Sequence, residues 1–364
     1  FKICKKTLEQ NKWDNLLNMV FSPPEKYSQG QEKLFEINLH IIADLVGAVS
    51  YLLKDKGKMI EIKKLVSTAC SQGNNKMKEN ATECLGYLIA NLDTDNFITF
   101  KDLADFLFKD LKNCEEKVIM KVYETLCECR VDVLNFFNDL TNPVEVTISL
   151  LKDENIKENI KSIMSEFIFM VAQKNKKIFT KNDSKLLKEL FTICLNLINS
   201  PENEDEIALN DTISLFNIGL NLISSLCNVI SSKKTFPLLI EIIKKFSNST
   251  RSVERRGAIA IIGRMAEGCA VPIKDNIEDI INLIINIFTN DKDEKVKGEC
   301  IITIDNLSMF CSPEINEYYD KIIPMLLQGI HSSNEDILEK SLLEINYFFD
   351  SINLGMEDYL NMNS

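Results

Sequence analysis

The sequence has 364 residues, of which only 12 are glycine and 8 are proline. A single hydrophobic core rarely grows beyond roughly 250–300 residues, so we expect several domains or an extended architecture. The scarcity of turn residues argues against an all-β protein and favours helices joined by short loops. The formal net charge is −12 and no basic run stands out, so we expect no direct nucleic-acid partner. Such an acidic balance suits either a basic partner or solubility alone.

Apolar residues recur at helical spacing along most of the chain, between short polar breaks. No useful length of sequence alternates apolar and polar residues, so nothing predicts a strand. The cysteines mostly occupy apolar positions of the helical patterns, which predicts buried, reduced thiols. Examples are Cys84, Cys227, Cys300 and Cys311.

Candidate catalytic and metal-binding groups are few. The two histidines, His40 and His331, lie far apart in the sequence, which argues against a histidine triad or a zinc site. Residues 92–103, LDTDNFITFKDL, resemble an EF-hand loop. However, Phe97 and Ile98 stand where a ligand and a glycine are needed, and the final glutamate is missing. We therefore predict a protein that is not an enzyme and that has no catalytic residues, metal site or cofactor.

An acidic segment, PENEDEIALND, occupies residues 201–211 between two long predicted helices. No matching basic run lies nearby in the sequence, so one interpretation is a contact for a basic partner segment. The other interpretation is a solvated loop. The candidate residues are Glu202, Glu204, Asp205, Glu206 and Asp211.

Residues 212–232 carry no charge and are nearly long enough to cross a bilayer. Three asparagines, Asn217, Asn221 and Asn228, interrupt this stretch, and each is unfavourable in hydrocarbon. We therefore predict a helix packed on two sides within a layered α protein, and no membrane insertion.

The stretch VERRGAIAIIGRMAEGC at 253–269 recurs in altered form along the chain. Cys269 corresponds to Cys311, 42 positions on, and Ile262 corresponds to Ile304 at the same offset. A further shift of 41 brings Ile304 onto Ile345. Each copy combines a first helix, a brief break and a second helix, and pairs repeated every ~40–47 residues are typical of HEAT arrays. We predict an all-α HEAT-repeat α-solenoid, a superhelical stack of antiparallel helix pairs.

The glycines and arginines of 253–269 could also suggest a phosphate-binding loop, but no strand precedes them. We predict instead that Gly263 permits close helix stacking and that Gly268 ends the helix. Arg255 and Arg256 are expected to pair with acidic neighbours.

The predicted second helices, at 276–288 and 314–330, carry polar side chains opposite their apolar faces. Second helices line the concave surface of a HEAT stack, where partners bind, although any solvent-facing helix has a polar side. The candidate partner-binding residues here are Glu278, Asp279, Asn282, Asn286 and Glu317.

We count about eight helix pairs in a single solenoid, and the sequence begins at Phe1, so we expect a fragment of a longer chain. The first and last pairs look incomplete. The predicted units are 8–54, 58–110, 113–151, 153–199, 211–246, 250–290, 292–332 and 333–364.

The runs at 253–269, 293–330 and 335–350 resemble consecutive central repeats of importin-β type karyopherins. The similar branch is that of the large importins that carry ribosomal proteins and histones. The resemblance rests on an R-x-A-x-x-A-like helix that ends in E-G-C at 255–269 and on an acidic V-K-x-x-C helix at 296–300. The acidic segment at 201–211 lies where those importins have an acidic insertion.

This resemblance implies a nuclear transport receptor that shuttles between cytoplasm and nucleus. It implies basic protein cargo on an inner acidic surface, release of cargo by the GTPase Ran in its GTP form, and Phe-Gly nucleoporins as partners. The first repeats, where Ran mainly docks in that family, look absent or truncated here. The alternative is a HEAT scaffold outside transport, such as a phosphatase scaffold, a coat subunit or a chromosome-associated subunit.

Overall fold

The computed structural model describes residues 32–48, 56–91, 107–108, 111–128, 134, 140–181, 184–200 and 214–352. No strand occurs in these ranges, which confirms the predicted all-α class. The chain divides into two compact units, residues 1–174 and 175–364. The division into eight helix pairs within a single solenoid stays a prediction.

The first unit includes six described α-helices and the 3-10 helix Leu111–Asn113, and its first and third α-helices pack side by side. Asn80 donates a hydrogen bond of 3.0 Å to the backbone oxygen of Glu36, and His40 lies 4.0 Å from Glu83, so α1 and α3 run in the same direction. The helix α2 packs against α3, and α3 packs against α4. The bounds are α1 (Glu32–Ala48), α2 (Lys56–Gln72), α3 (Asn75–Asn91), α4 (Glu116–Glu128), α5 (Thr141–Leu151) and α6 (Glu158–Asn175).

An aromatic cluster forms the centre of the first unit. The ring of Tyr123 lies 6.1 Å from Phe108 and 5.6 Å from Phe167, in edge-to-face geometry. The Tyr123 hydroxyl is buried and is satisfied by Thr147 at 2.8 Å, so α4, α5 and α6 meet at one point.

The second unit has two layers of helices. The first helices of the predicted pairs, α9, α11, α14 and α16, stack side by side, and each is packed by the preceding second helix. The bounds are α7 (Lys177–Thr180), α8 (Lys185–Ile198), α9 (Leu215–Val229), α10 (Ser232–Phe246), α11 (Ser252–Met265), α12 (Ala270–Lys274), α13 (Ile277–Asn290), α14 (Glu294–Phe310), α15 (Tyr319–Ile330) and α16 (Glu335–Ile352).

Short polar residues begin several of these helices. Ser214 accepts a hydrogen bond from the backbone N–H of Asn217 at the start of α9, and Asp293 accepts one from Lys295 at the start of α14. Asn334 does the same for Asp336 at the start of α16. These caps satisfy backbone donors that an apolar residue would leave without a partner.

Within the uncharged stretch at 212–232, residues Leu215–Val229 form α9, which packs against α8 and α11. Asn217, Asn221 and Asn228 are exposed, while Leu222 and Leu226 are buried. None of the described helices combines the length and the apolarity needed to cross a bilayer.

Two glycines allow neighbouring segments of the chain to pack closely. A Cβ on Gly263 would lie 3.2 Å from the hydroxyl of Thr303 on α14, which supports the predicted role in stacking. Gly268 was expected to end its helix, but α11 ends earlier, at Met265. A Cβ on Gly268 would collide with the backbone of Cys227, so glycine lets the turn after α11 contact the end of α9.

The pattern at 314–330 also differs from the predicted single helix. Residues Glu314–Tyr318 form a 3-10 turn, and α15 begins only at Tyr319. The turn carries Ile315 into the core at 0% exposure. Over five residues, apolar spacing does not distinguish a 3-10 turn from an α-helix.

Candidate partner-binding surface

The helix α13 presents the predicted polar residues on one side. Glu278, Asp279, Asn282 and Asn286 are all exposed, while Ile281 and Ile284 are fully buried. The helical repeat produces this separation, because positions three and four apart share a face. We call Glu278, Asp279, Asn282, Asn286 and Glu317 the polar stripe.

The polar stripe continues from α13 onto the segment that leads into α15. Glu317 is exposed and belongs to the 3-10 turn, not to the helix predicted for it. Lys321 of α15 donates a hydrogen bond of 3.0 Å to the side-chain oxygen of Asn282 and lies 4.0 Å from the carboxylate of Glu278. This lysine therefore joins the two second helices side by side.

Two acidic side chains of the polar stripe lie close enough to Tyr318, the residue before α15, to influence its ionisation. Partial desolvation, together with the charges of Glu278 and Glu317, raises the pKa of Tyr318. The ammonium of Lys321 lies 5.5 Å from the centre of the Tyr318 ring. Because Lys321 already contacts the Tyr318 ring and the Asn282 oxygen, a cation from a partner would mainly find the exposed carboxylates of the polar stripe.

Three residues that contribute to this surface were missed by sequence reasoning. Asn290 extends the amide row, because its side-chain nitrogen donates to the side-chain oxygen of Asn286 at 2.9 Å. Asp320 is exposed, and Tyr318 lies beneath Lys321. The spacing of four between 286 and 290 was a usable signal, whereas the position of Tyr318 depends on the 3-10 turn.

The layer of second helices in this unit is not uniformly acidic. The helix α10 exposes four lysines and one glutamate, Glu241, so its solvent side is basic where that of α13 is acidic. The helix α8 also exposes lysines. The polar stripe is therefore a local acidic surface and not part of a continuous one. The exposed lysines are Lys185 and Lys188 on α8 and Lys233, Lys234, Lys244 and Lys245 on α10.

The five acidic candidates of the segment at 201–211 lie outside the described residues. They are Glu202, Glu204, Asp205, Glu206 and Asp211. The loop at 92–103 also lies outside them.

The two predicted arginine pairings are confirmed. Arg255 binds both carboxylate oxygens of Asp291, at 2.5 and 2.8 Å, and this contact lowers the pKa of Asp291. Arg256 donates to the carboxylate of Glu299 at 3.3 Å and covers the ring of Phe216 at 3.9 Å from its centre. These arginines connect α11 to its neighbours in the stack.

A cleft of about 620 Å³ lies where α11 and α14 begin, lined in part by Arg251, Arg256 and Asp293. Its charged groups are engaged by the fold. Arg251 pairs with Glu254 at 3.0 Å, and Asp293 caps α14. Within the described ranges, no group of three or more His, Cys, Asp or Glu side chains could hold a metal ion.

Residues 253–307 match a family model described as a HEAT-like repeat. No curated protein matches the sequence. The match coincides with α11, α13 and most of α14, the region in which the repeat was read from the sequence.

Solved structures of Kap121p are similar over nearly the whole chain. Kap121p bound to Nup53p has a TM-score of 0.74 at 17% identity, covering 96% of this chain and 35% of that chain. The karyopherin Kap121p bound to the extreme C-terminus of the protein phosphatase Cdc14p also scores 0.74 at 17% identity, covering 92% and 34%. Kap121p alone scores 0.69 at 15% identity, covering 93% and 38%.

The chain thus spans about a third of the length of Kap121p. The resemblance to importin-β type karyopherins that the sequence suggested is confirmed at the level of the fold. The helix packing, the repeat match and the structural similarity assign the chain to the all-α HEAT-repeat solenoid fold that the karyopherin Kap121p adopts.

Proposed function

We propose that this chain is part of a nuclear transport receptor and that its polar stripe binds a basic segment of a protein cargo. The observation that carries the proposal is the structural similarity to Kap121p over 96% of the chain. That karyopherin has been solved with several bound proteins, among them Pho4p, Ulp1p and Ste12p.

The chemistry of the polar stripe supports a basic partner. Carboxylates such as Glu278 and Asp279 attract lysine and arginine side chains. The amides of Asn282 and Asn286 can accept and donate hydrogen bonds to an extended peptide backbone. The net charge of −12 adds a long-range attraction that steers a basic segment toward the chain.

In this proposal the acidic segment at 201–211 provides a second contact for the same basic cargo. Ran in its GTP form releases the cargo, and Phe-Gly nucleoporins bind the receptor during passage between cytoplasm and nucleus. The receptor performs no catalysis, because its work is reversible binding. The same fold also serves scaffolds outside transport, so the partners decide between the two functions.

A binding assay with the full chain separates these functions. The chain is immobilised and exposed to Ran locked in its GTP form, to Ran bound to GDP, and to Phe-Gly repeats. Repeats in which serine replaces every phenylalanine serve as the matched control. We expect retention of the Phe-Gly repeats and not of the serine repeats, and we expect any Ran that is retained to be in its GTP form.

The absence of binding to both Ran-GTP and Phe-Gly repeats would contradict transport and favour the scaffold function. The assay does not depend on the polar stripe, so it tests the class of protein separately from the cargo surface.

A further inference from the structure

Two cysteine side chains and one lysine line a small cavity in the first unit. Cys70 lines it from the end of α2, Lys78 from the start of α3, and Cys114 from the turn before α4. Thr82 and aliphatic side chains, including Leu111 and Val118, form the remaining wall. Three successive elements of the repeat therefore bring two thiols to one place.

Lys78 places a positive charge beside one of the thiols. Its ammonium nitrogen lies 3.8 Å from the sulfur of Cys114, and Cys114 is half-exposed. The thiolate is the nucleophilic form of cysteine, and a neighbouring ammonium favours that form. Cys114 is therefore a partly accessible sulfur that lies beside a positive charge.

Cys70, by contrast, is shielded from solvent. It is only 6% exposed, and burial raises its pKa to about 12, against an opposing contribution from Lys78. As a protonated thiol behind the aliphatic wall, Cys70 does not react directly with a bulky solvent reagent. Because Cys114 lines the same cavity, Cys70 is placed to react with a mixed disulfide already formed at Cys114.

The same unit supplies a natural comparison in Cys127 on α4. Cys127 is also half-exposed, but burial and the charges of Glu166 and Glu128 raise its pKa to about 12. Its sulfur donates to the backbone oxygen of Ile163 at 3.7 Å. Lys78 thus lies beside Cys114, whereas two glutamates lie near Cys127, and the other described cysteines are buried.

We propose that Cys114 and Cys70 form a redox-active dithiol that a small disulfide such as oxidised glutathione converts to an intramolecular disulfide. The Cys114 thiolate attacks one glutathione sulfur, the glutathione S–S bond breaks, and one glutathione leaves and takes up a proton. Cys70 then loses its proton to solvent, and its sulfur attacks the sulfur of Cys114 and expels the second glutathione. Two protein thiols are oxidised, and one glutathione disulfide is reduced to two thiols.

The bridge would join the end of α2 to the turn before α4, with α3 between them. It would therefore cross-link adjacent repeats and restrict their relative motion. A cross-link between distant positions also stabilises the folded unit by constraining the unfolded chain.

The test incubates the full chain in glutathione buffers of increasing oxidised fraction, followed by trapping of free thiols and peptide mass spectrometry. We expect a linked peptide pair containing Cys70 and Cys114, lighter by two hydrogens than the separate peptides. The variant Cys114→Ser should prevent oxidation of Cys70, whereas Cys127→Ser should leave the bridge unchanged. Rates of thiol labelling at Cys114 and Cys127 are measured in the same sample.

A charge variant tests the role of the lysine. Lys78→Gln should lower the labelling rate of Cys114 several-fold relative to Cys127, and Lys76→Gln, an exposed lysine on the same helix, should not change this ratio. Circular dichroism confirms that each variant keeps its helical content. A stable mixed disulfide at Cys114 without a bridge, or faster labelling of Cys127 than of Cys114 in the unmodified chain, would overturn the proposal.

Discussion

The side chain of Glu344 on α16 is only 3% exposed. Its charged form would therefore lower the stability of the folded protein. Desolvation, followed by the nearby charge of Asp305 on α14 and a hydrogen bond to that group, raises its pKa to about 8. The hydroxyl of Ser308 donates to Glu344 at 3.1 Å. The protonated carboxyl can therefore donate to Asp305 while accepting from Ser308, which satisfies it without a buried charge.

Replacing Glu344 by glutamine should stabilise the protein at alkaline pH. The folded state holds the Glu344 proton up to about pH 8, whereas the ordinary glutamate pKa is 4.5. The contribution of this group to stability is therefore largest below pH 4.5 and falls as pH rises through this window. Glu344→Gln should raise the unfolding free energy at pH 8.5 by on the order of 2 kcal/mol, with a much smaller gain at pH 5.

Thermal unfolding at both pH values measures this difference. Glu339→Gln, an exposed change on the same helix, serves as the control and should show no such pH dependence. A gain for Glu344→Gln that is equal at pH 5 and pH 8.5 would show that the charge of Glu344 is not what destabilises the folded chain.

At the scale of helices, the ion pair between Arg256 and Glu299 connects α11 to α14. Glu299 is 7% exposed, and desolvation raises its pKa against the opposing effect of Arg256. Arg256 also packs on Phe216 of α9. One arginine thus connects three successive first helices, and its loss would leave a buried acid without its nearest counter-charge.

Arg256→Met should lower the unfolding free energy by roughly 2–4 kcal/mol, because it removes the cation while keeping an apolar side chain over Phe216. The double variant Arg256→Met with Glu299→Gln should recover part of this loss. Arg251→Met removes an exposed arginine paired with Glu254 and should cost under about 1 kcal/mol. Denaturant titration checks all three; equal losses for Arg256→Met and Arg251→Met would contradict the assigned role.

Much of the helix arrangement could be predicted from sequence, because apolar spacing reports which face of a helix is buried. The first helices around Ile262 and Ile304 were found in this way, as were the exposed positions of Glu278 and Asn282. Side-chain partners across helices could not be predicted, since they depend on helix rotation within the stack. The contact of Lys321 with Asn282 and the early end of α11 are examples.

For the whole molecule, the repeat offset was sufficient to predict a HEAT fold, because stacked pairs impose a constant spacing on their sequence. The sequence did not predict the change of charge along the second helices, from the lysines of α10 to the acids of α13. Those residues are visible in the sequence, but the face that each occupies comes from packing. A partner that crosses both helices would need an acidic segment opposite α10 and a basic segment opposite α13.

Binding of a basic segment at the polar stripe is tested directly by the affinity of a lysine-rich peptide for the full chain. Fluorescence anisotropy is measured at low and at physiological salt for the unmodified chain. The double variant Glu278→Lys with Asp279→Lys is compared with the double variant Glu335→Lys with Glu339→Lys. The second makes the same change of charge on α16, which lies in the layer of first helices.

We expect the stripe variant to bind at least about tenfold more weakly and with a flatter salt dependence, a loss of roughly 1.4 kcal/mol. The control variant should lose no more than about threefold, which is the effect of net charge alone. Equal weakening in both variants, or no weakening in either, would contradict binding at the polar stripe.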